Sequence, residues 1–281
     1  MSADNTTVVD GLGFPESPRW RDGTLWCTDH VAREIITVDV DGGVDVRHTT
    51  DFRPSGLGWL PGGDLVVVAM HERAVMRLGP SGFRPHADLS GLASFHCNDM
   101  VVTPEGRAYV GNFGFDLHGG GQLATAELVL VEPDGGGRVV ADELLFPNGM
   151  AITPDGGELI VGETFGARLS AFTIGADGSL GPRRTWADVG EVSADGICLD
   201  ADGAVWVASP ATGTVVRVAE GGTILTAVAT EATPFACMLG GEARRTLFVT
   251  TSDGNGADPP TAPRTGRIET LEVSTAGAGL P

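Results

Sequence analysis

The chain contains no lysine: all 18 of its basic residues are arginine. A Schiff-base lysine and the lysine of a phosphate-binding P-loop are therefore excluded. Basic residues are also few beside 37 Asp and Glu, which gives a formal net charge of −19. Such a surface repels phosphate backbones and anionic lipid, so neither nucleic acid nor membrane is expected as a partner. The charge serves solubility first, and it also draws cations.

Cysteine is scarce, with four residues and no C-x-x-C. Cys27, Cys97, Cys198 and Cys237 each sit in or beside an apolar run, as reduced core thiols of a cytoplasmic protein would. The opening residues MSADNTTVVD lack the basic and apolar regions of a secretory signal, which again points to the cytoplasm. The longest apolar runs, such as 65–70, are far too short to span a bilayer. No stretch sustains helical spacing. There is no H-E-x-x-H, because His71-Glu72 lacks its second His, and no cysteine cluster, so zinc held by Cys and His is not expected. No G-x-S-x-G elbow is present, which disfavours a serine hydrolase.

Glycine and proline are plentiful, at 42 and 17 residues, within a chain of 281 that is 42% hydrophobic. That is the profile of a turn-rich globular fold. One unit recurs six times: a lead-in, an apolar run, a turn, and a second apolar run. Its turns fall at Asp22, Gly62, Glu105, Asp155, Asp202 and Glu242, 40–50 residues apart, and weaker strand-like segments follow each copy. Four strands in a unit of this length predict a blade, and six units predict an all-β, six-bladed β-propeller filling residues 1–281 as one domain. The segments 6–12 and 267–273 both read as strands, so the ring is expected to close where the chain ends share a blade.

Aligning the hairpins on their turns gives one column at the entry to each first strand. It holds Glu16, Ser55, Asn98, Asn148, Asp195 and Phe235, and small residues dominate the next position. First strands line a propeller's channel, so this column forms a ring. Any one Asp or Asn here is explained by turn propensity. Glu16, Asn98, Asn148 and Asp195 together, in one phase, are better explained as convergent oxygen donors for a divalent cation. Residues ending the second strands return to the same face: Asp29, His30, His71, Asn112, Phe113, Glu163, Thr164, Ser209 and Ser252. Seven phenylalanines, at 14, 95, 113, 115, 146, 165 and 235, flank these points and predict an apolar-walled pocket on a polar floor. The Gly-rich segment GNFGFDLHGGGQ, residues 111–122, is expected to be a mobile loop over the mouth.

FPESPRW, HCNDMVVTPEGRAYVGN, PNGMAITPDG and ADGICLDADGAVWVA resemble, in order, the signature segments of the SMP-30/gluconolactonase/regucalcin (LRE-like) family. The resemblance covers essentially the whole chain. It implies a six-bladed propeller with one divalent cation (Ca²⁺, Mg²⁺, Mn²⁺ or Zn²⁺) in the channel, and hydrolysis of lactones. It implies metal ligation by Glu16, Asn148 and Asp195 and substrate binding by Asn98, with Asp99 structural. Two positions depart from the family pattern. His96 stands where sugar-lactonase members often carry Arg, and Met100 replaces the Gly of N-D-G.

The expected function is therefore a metal-dependent lactonase acting on a sugar lactone or on a less polar lactone or ester. Asp195 would be the catalytic base and His96 the proton donor, with Asn98, His96, Asn112 and Phe113 on the substrate. The alternatives are a metal-dependent lyase, isomerase or condensing enzyme on the same site, and a non-enzymatic Ca²⁺-binding propeller. The partner is expected to be a small molecule, and the protein a monomer or weak homo-oligomer. In SADGICLDADGAVWVA the two Asp-Gly pairs differ: Asp202-Gly203 belongs to the turns and Asp195-Gly196 to the ring.

Overall fold

The computed structural model describes residues 5–254, 256, 257, 259 and 261–281. Its described residues form six four-stranded antiparallel sheets, five of them built from consecutive strands. The innermost strands are Pro15–Arg21, Pro54–Trp59, Cys97–Val102, Pro147–Ile152, Ile197–Leu199 and Thr233–Gly240. Each enters its second strand through a predicted turn, and each sheet is one blade of the propeller. In the sixth blade, Thr6–Leu12 pairs antiparallel with Gly266–Glu272, Thr6 opposite Thr270 and Leu12 opposite Gly266. The two ends of the chain thus share a sheet, and the ring closes as expected. No described helix is long and apolar enough to cross a membrane.

Burial falls from the channel outward. The second strands Leu65–Ala69 and Ala108–Asn112 are wholly buried, whereas Val44–Thr49 and Ile224–Ala229 at the rim are mostly exposed. Inner strands are sandwiched between neighbouring blades on both faces, so they read as continuous apolar runs. Outer strands pack on one side only, which is why their patterning is weaker. Apolar clusters fill the wedges between blades, such as Val66, Val68, Met100 and Val110 between the second and third. All four cysteines are buried and free of disulfides.

At the channel the inner strands touch backbone to backbone. Gly149 N–H donates to the Asp195 carbonyl at 3.2 Å and Gly196 N–H to the Phe235 carbonyl at 2.8 Å. A Cβ at Gly149 would stand 2.5 Å from the Asp195 carbonyl oxygen, and one at Gly196 would collide with Ala236. The small-residue column is thus a steric requirement of closing the ring.

The other end of the channel is stoppered. Arg19 is buried and donates to Asp99 Oδ1 at 2.6 Å, the Met100 carbonyl at 2.7 Å and the Leu57 carbonyl at 3.2 Å, tying the first three blades together. Ser17 Oγ donates to the same Asp99 oxygen at 3.1 Å. Beyond them the C-terminal segment crosses the channel, with Leu280 and Ile152 exchanging backbone bonds of 2.8 and 3.0 Å.

The Asp202 turn divides its work between two carboxylates. Asp200 is fully buried and accepts the N–H groups of Asp202 and Ala204 at 2.9 and 3.1 Å, with Arg217 Nε at 2.6 Å. Asp202 is exposed and only pairs with Arg217 and Thr275. Asp200→Ala is expected to lower the unfolding free energy by about 2–3 kcal/mol in urea titrations, since it removes the buried partner of the Arg217 guanidinium and orphans two turn amides. Asp202→Asn should produce a clearly smaller shift. Equal shifts would show that the turn does not hang on Asp200.

Candidate active site

Five of the six ring positions, Glu16, Asn98, Asn148, Asp195 and Phe235, line one cavity of about 540 Å³ at the mouth of the channel. The sixth, Ser55, lies beside it and donates from Oγ to Asn98 Oδ1 at 3.3 Å. A local irregularity aims them there. In five blades the pairing of first and second strands slips at the ring: between Glu16 and Arg19, Pro54 and Leu57, Cys97 and Met100, Pro147 and Met150, and Pro234 and Ala236. Such bulges turn a side chain out of the regular pleat. In the first blade the bulge holds Ser17 at a φ of 49°. In the fifth, regular pairing begins only at Ile197. Asp195 stands just before it, its N–H bonded to the Ala208 carbonyl at 3.0 Å.

The floor concentrates negative charge away from water. Burial pushes the Glu16 carboxyl up to about 8, with Asp99 adding to the rise while the Ser17 N–H and Arg19 oppose it. Burial likewise drives Asp195 well above the ordinary carboxylate range, reinforced by Glu16 and Asp99 and opposed by a hydrogen bond from Asn148. Two desolvated carboxylates this close are poorly matched to one another. Asn148 Nδ2 donates to Thr164 Oγ1 at 3.2 Å, and Thr164 donates onward to the Ala194 carbonyl at 2.8 Å. With its amide nitrogen engaged, Asn148 offers Oδ1 to a ligand. Two carboxylates and an amide oxygen on one floor, Asn148 and Asp195 buried and Glu16 partly so, fit a hard divalent cation, which would relieve their repulsion. Among the described residues no group of three His, Cys, Asp or Glu converges on a metal position. The oxygen set at the floor includes an amide.

The second-strand ends divide into two columns. Asp29 accepts the N–H groups of Gly13 and Phe14 at 2.6 and 2.9 Å. Glu163 accepts Leu145 N–H at 2.8 Å and Arg168, and Ser209 accepts Ser193 N–H at 3.2 Å. These buried polar residues pin the loop that leads into the inner strand. The next residue in each blade lines the cavity: His30, Phe113, Thr164 and Pro210.

Asn112 belongs to the pinning column, which corrects its expected place on the substrate. It is fully buried, accepts Gly114 N–H at 2.9 Å and donates to the Glu127 carbonyl at 3.0 Å. His96 is also displaced from the cavity lining. It packs against His71 and Phe95, with ring centroids at 4.4 and 4.2 Å and planes tilted by 31° and 36°. Burial, and then His71, lowers it to about 4, so it is neutral at pH 7 and unsuited to donate a proton there. Phe113 does line the cavity, as expected.

His30 was visible in the sequence only as a strand end. It is buried and lines the cavity, and its Nε2 has no hydrogen-bond partner among the described residues. Burial, with Arg53 next, lowers it to about 3 and keeps it neutral. Leu117 and His118 bring the 111–122 segment to the cavity's edge.

A family model described as the SMP-30/Gluconolactonase/LRE-like region matches residues 14–253. The chain is 26% identical over 281 residues to a 6-deoxy-6-sulfogluconolactonase of Pseudomonas putida, covering 95% of this chain and 93% of the relative. Among solved structures, a gluconolactonase of Xanthomonas campestris superposes with a TM-score of 0.76 at 27% identity, covering 99% of this chain and 90% of the other. Regucalcin of Agrobacterium tumefaciens, a calcium-binding protein, superposes at 0.80 with 20% identity over 96% and 94% of the two chains. That last likeness speaks to the fold.

The floor's electrostatics predict a pH signature. With divalent cations chelated, the melting temperature should fall as pH rises from about 4.5 toward about 8, since over that window only the folded state keeps the Glu16 proton. Glu16→Gln should flatten the decline. An unchanged slope in that variant would place the proton uptake elsewhere.

Proposed function

The chain belongs to the SMP-30/gluconolactonase/LRE-like family, and on that footing we propose that it is a divalent-metal-dependent lactonase. The observation that carries this reading is the shared cavity floor of Glu16, Asn98, Asn148 and Asp195. Glu16, Asn148 and Asp195 would hold the cation, which when bound supplies Lewis-acid polarisation of the ester carbonyl and acidifies water. An all-oxygen donor set favours Ca²⁺, Mg²⁺ or Mn²⁺ over Zn²⁺.

Asp195 takes the proton of the attacking water on its carboxylate. Its place on the cavity floor beside Asn148 and Glu16 is where a base acting on a water there would stand. The water oxygen bonds to the lactone carbonyl carbon, the ring C–O bond breaks, and the proton passes from Asp195 to the leaving alkoxide, giving a hydroxy acid. Asn98 accepts from Ser55 through Oδ1, so Nδ2 is the donor it can direct at the carbonyl oxygen as charge builds there. Thr164 orients Asn148 through its hydroxyl.

The test is turnover of a lactone panel, followed by proton release, with Ca²⁺, Mg²⁺, Mn²⁺ and Zn²⁺ titrated into metal-free protein. Asp195→Asn is expected to lower kcat by about 10²–10⁴-fold with circular dichroism unchanged. Near-normal turnover in that variant would overturn the assignment. His96→Gln should keep most of the activity, because His96 packs outside the cavity. A collapse of kcat in His96→Gln would restore it as a proton donor.

A further inference from the structure

Resting on the lactonase reading for its chemistry, we infer that the substrate is a lactone whose ring carries a hydrocarbon substituent, alkyl or aryl, and few or no hydroxyls. The cavity walls carry the inference. On one side Phe14 and Phe235 stand with ring centroids 4.5 Å apart. On the other, Phe113 and Phe146 lie 4.5 Å apart at 32°, and Phe165 meets Phe146 edge-on at 5.5 Å and 88°. All five rings line the cavity. Phe165 stands at its rim, 43% exposed to solvent. The polar floor and this aromatic wall together form a path from the reacting carbonyl to the mouth, along which a hydrocarbon chain can lie.

A polyhydroxylated ring is poorly served here. Each hydroxyl buried without a partner is penalised. Among the described residues, most of the wall's polar side-chain atoms are already engaged by the protein. Thr164 Oγ1 accepts from Asn148 and donates to the Ala194 carbonyl. Ser193 Oγ accepts Ala211 N–H at 2.9 Å. Asn98 Oδ1 is taken by Ser55. Beyond these, among the described lining residues, His30 Nε2 can meet one oxygen. No arginine is among the described residues lining the cavity.

The test is a matched set of six-membered rings on the metal-loaded protein: δ-valerolactone, its methyl, propyl and pentyl derivatives, and glucono-δ-lactone. The expected kcat/KM rises about fourfold per methylene from methyl to pentyl. Glucono-δ-lactone is expected to fall below the methyl lactone, and so more than about 250-fold below the pentyl lactone. Phe165→Ser, at an exposed position, should shrink the gain for the pentyl chain. A flat series, or glucono-δ-lactone preferred, overturns the inference and leaves the lactonase reading standing. The corresponding lactams, which resist hydrolysis, are measured by calorimetry alongside. Should no lactone turn over, the lactonase reading fails alone and the lactams decide the substrate class. Tighter binding of the pentyl lactam than of gluconolactam supports the inference, and equal or weaker binding overturns it.

Discussion

The structure depends on how closely the inner strands approach one another at the channel. Backbone bonds run from Gly149 to Asp195 and from Gly196 to Phe235, and neither glycine has room for a β-carbon. At the same place five of the six inner strands slip off their regular pairing, and in the fifth blade pairing begins only beyond it. The bulge then turns the preceding side chain into the channel. Ring closure and site assembly thus coincide in space. The oxygen donors face one another from the positions at which neighbouring inner strands come closest.

Charge is arranged against the same frame. Asp99 belongs to the small-residue column by position, yet it is buried as the partner of Arg19 and Ser17. It is paired there, while Glu16 and Asp195, one position earlier in their blades, have no arginine bonded to them. Their carboxyls rise in proton affinity because burial is not compensated. The distinction between a structural and a functional carboxylate lies in this local pairing. A buried bridge such as Arg19–Asp99 contributes order more than net stability.

Most of this was legible in the chain because a repeat carries phase. Six turns in register located the ring, and the ring located Glu16, Asn98, Asn148 and Asp195 without reference to any single motif. The strand ends were less legible. Adjacent residues there take opposite roles, and a phase error of one residue exchanges them. Asn112 looked like a substrate contact and proved to pin a loop, while His30 and Thr164 sit one position later in the cavity. His96 misled for another reason. Its sequence position, two before Asn98, matches cavity-lining Phe14, Phe146 and Ser193 in their blades. Only its packing against His71 and Phe95 shows that it lies aside. The Asp202 turn was legible as a turn, but the burial of Asp200 beneath it was not, since both read as polar turn residues.

The stopper at the far end of the channel bears on traffic. Arg19 lines a separate cavity of about 370 Å³ there, together with Gly279 and Leu280. The buried Arg19–Asp99 bridge stands between that space and the ring. What enters at the mouth must therefore leave by the mouth, past Phe165 and Leu117, and two molecules cannot exchange by following one another through. In a reaction that turns a neutral ring into an acid, ionisation of the product supplies the direction. Under the proposed lactone hydrolysis the acid would gain a charge that the aromatic wall cannot solvate, so the same vestibule that admits the ring would favour the opened product's return to water.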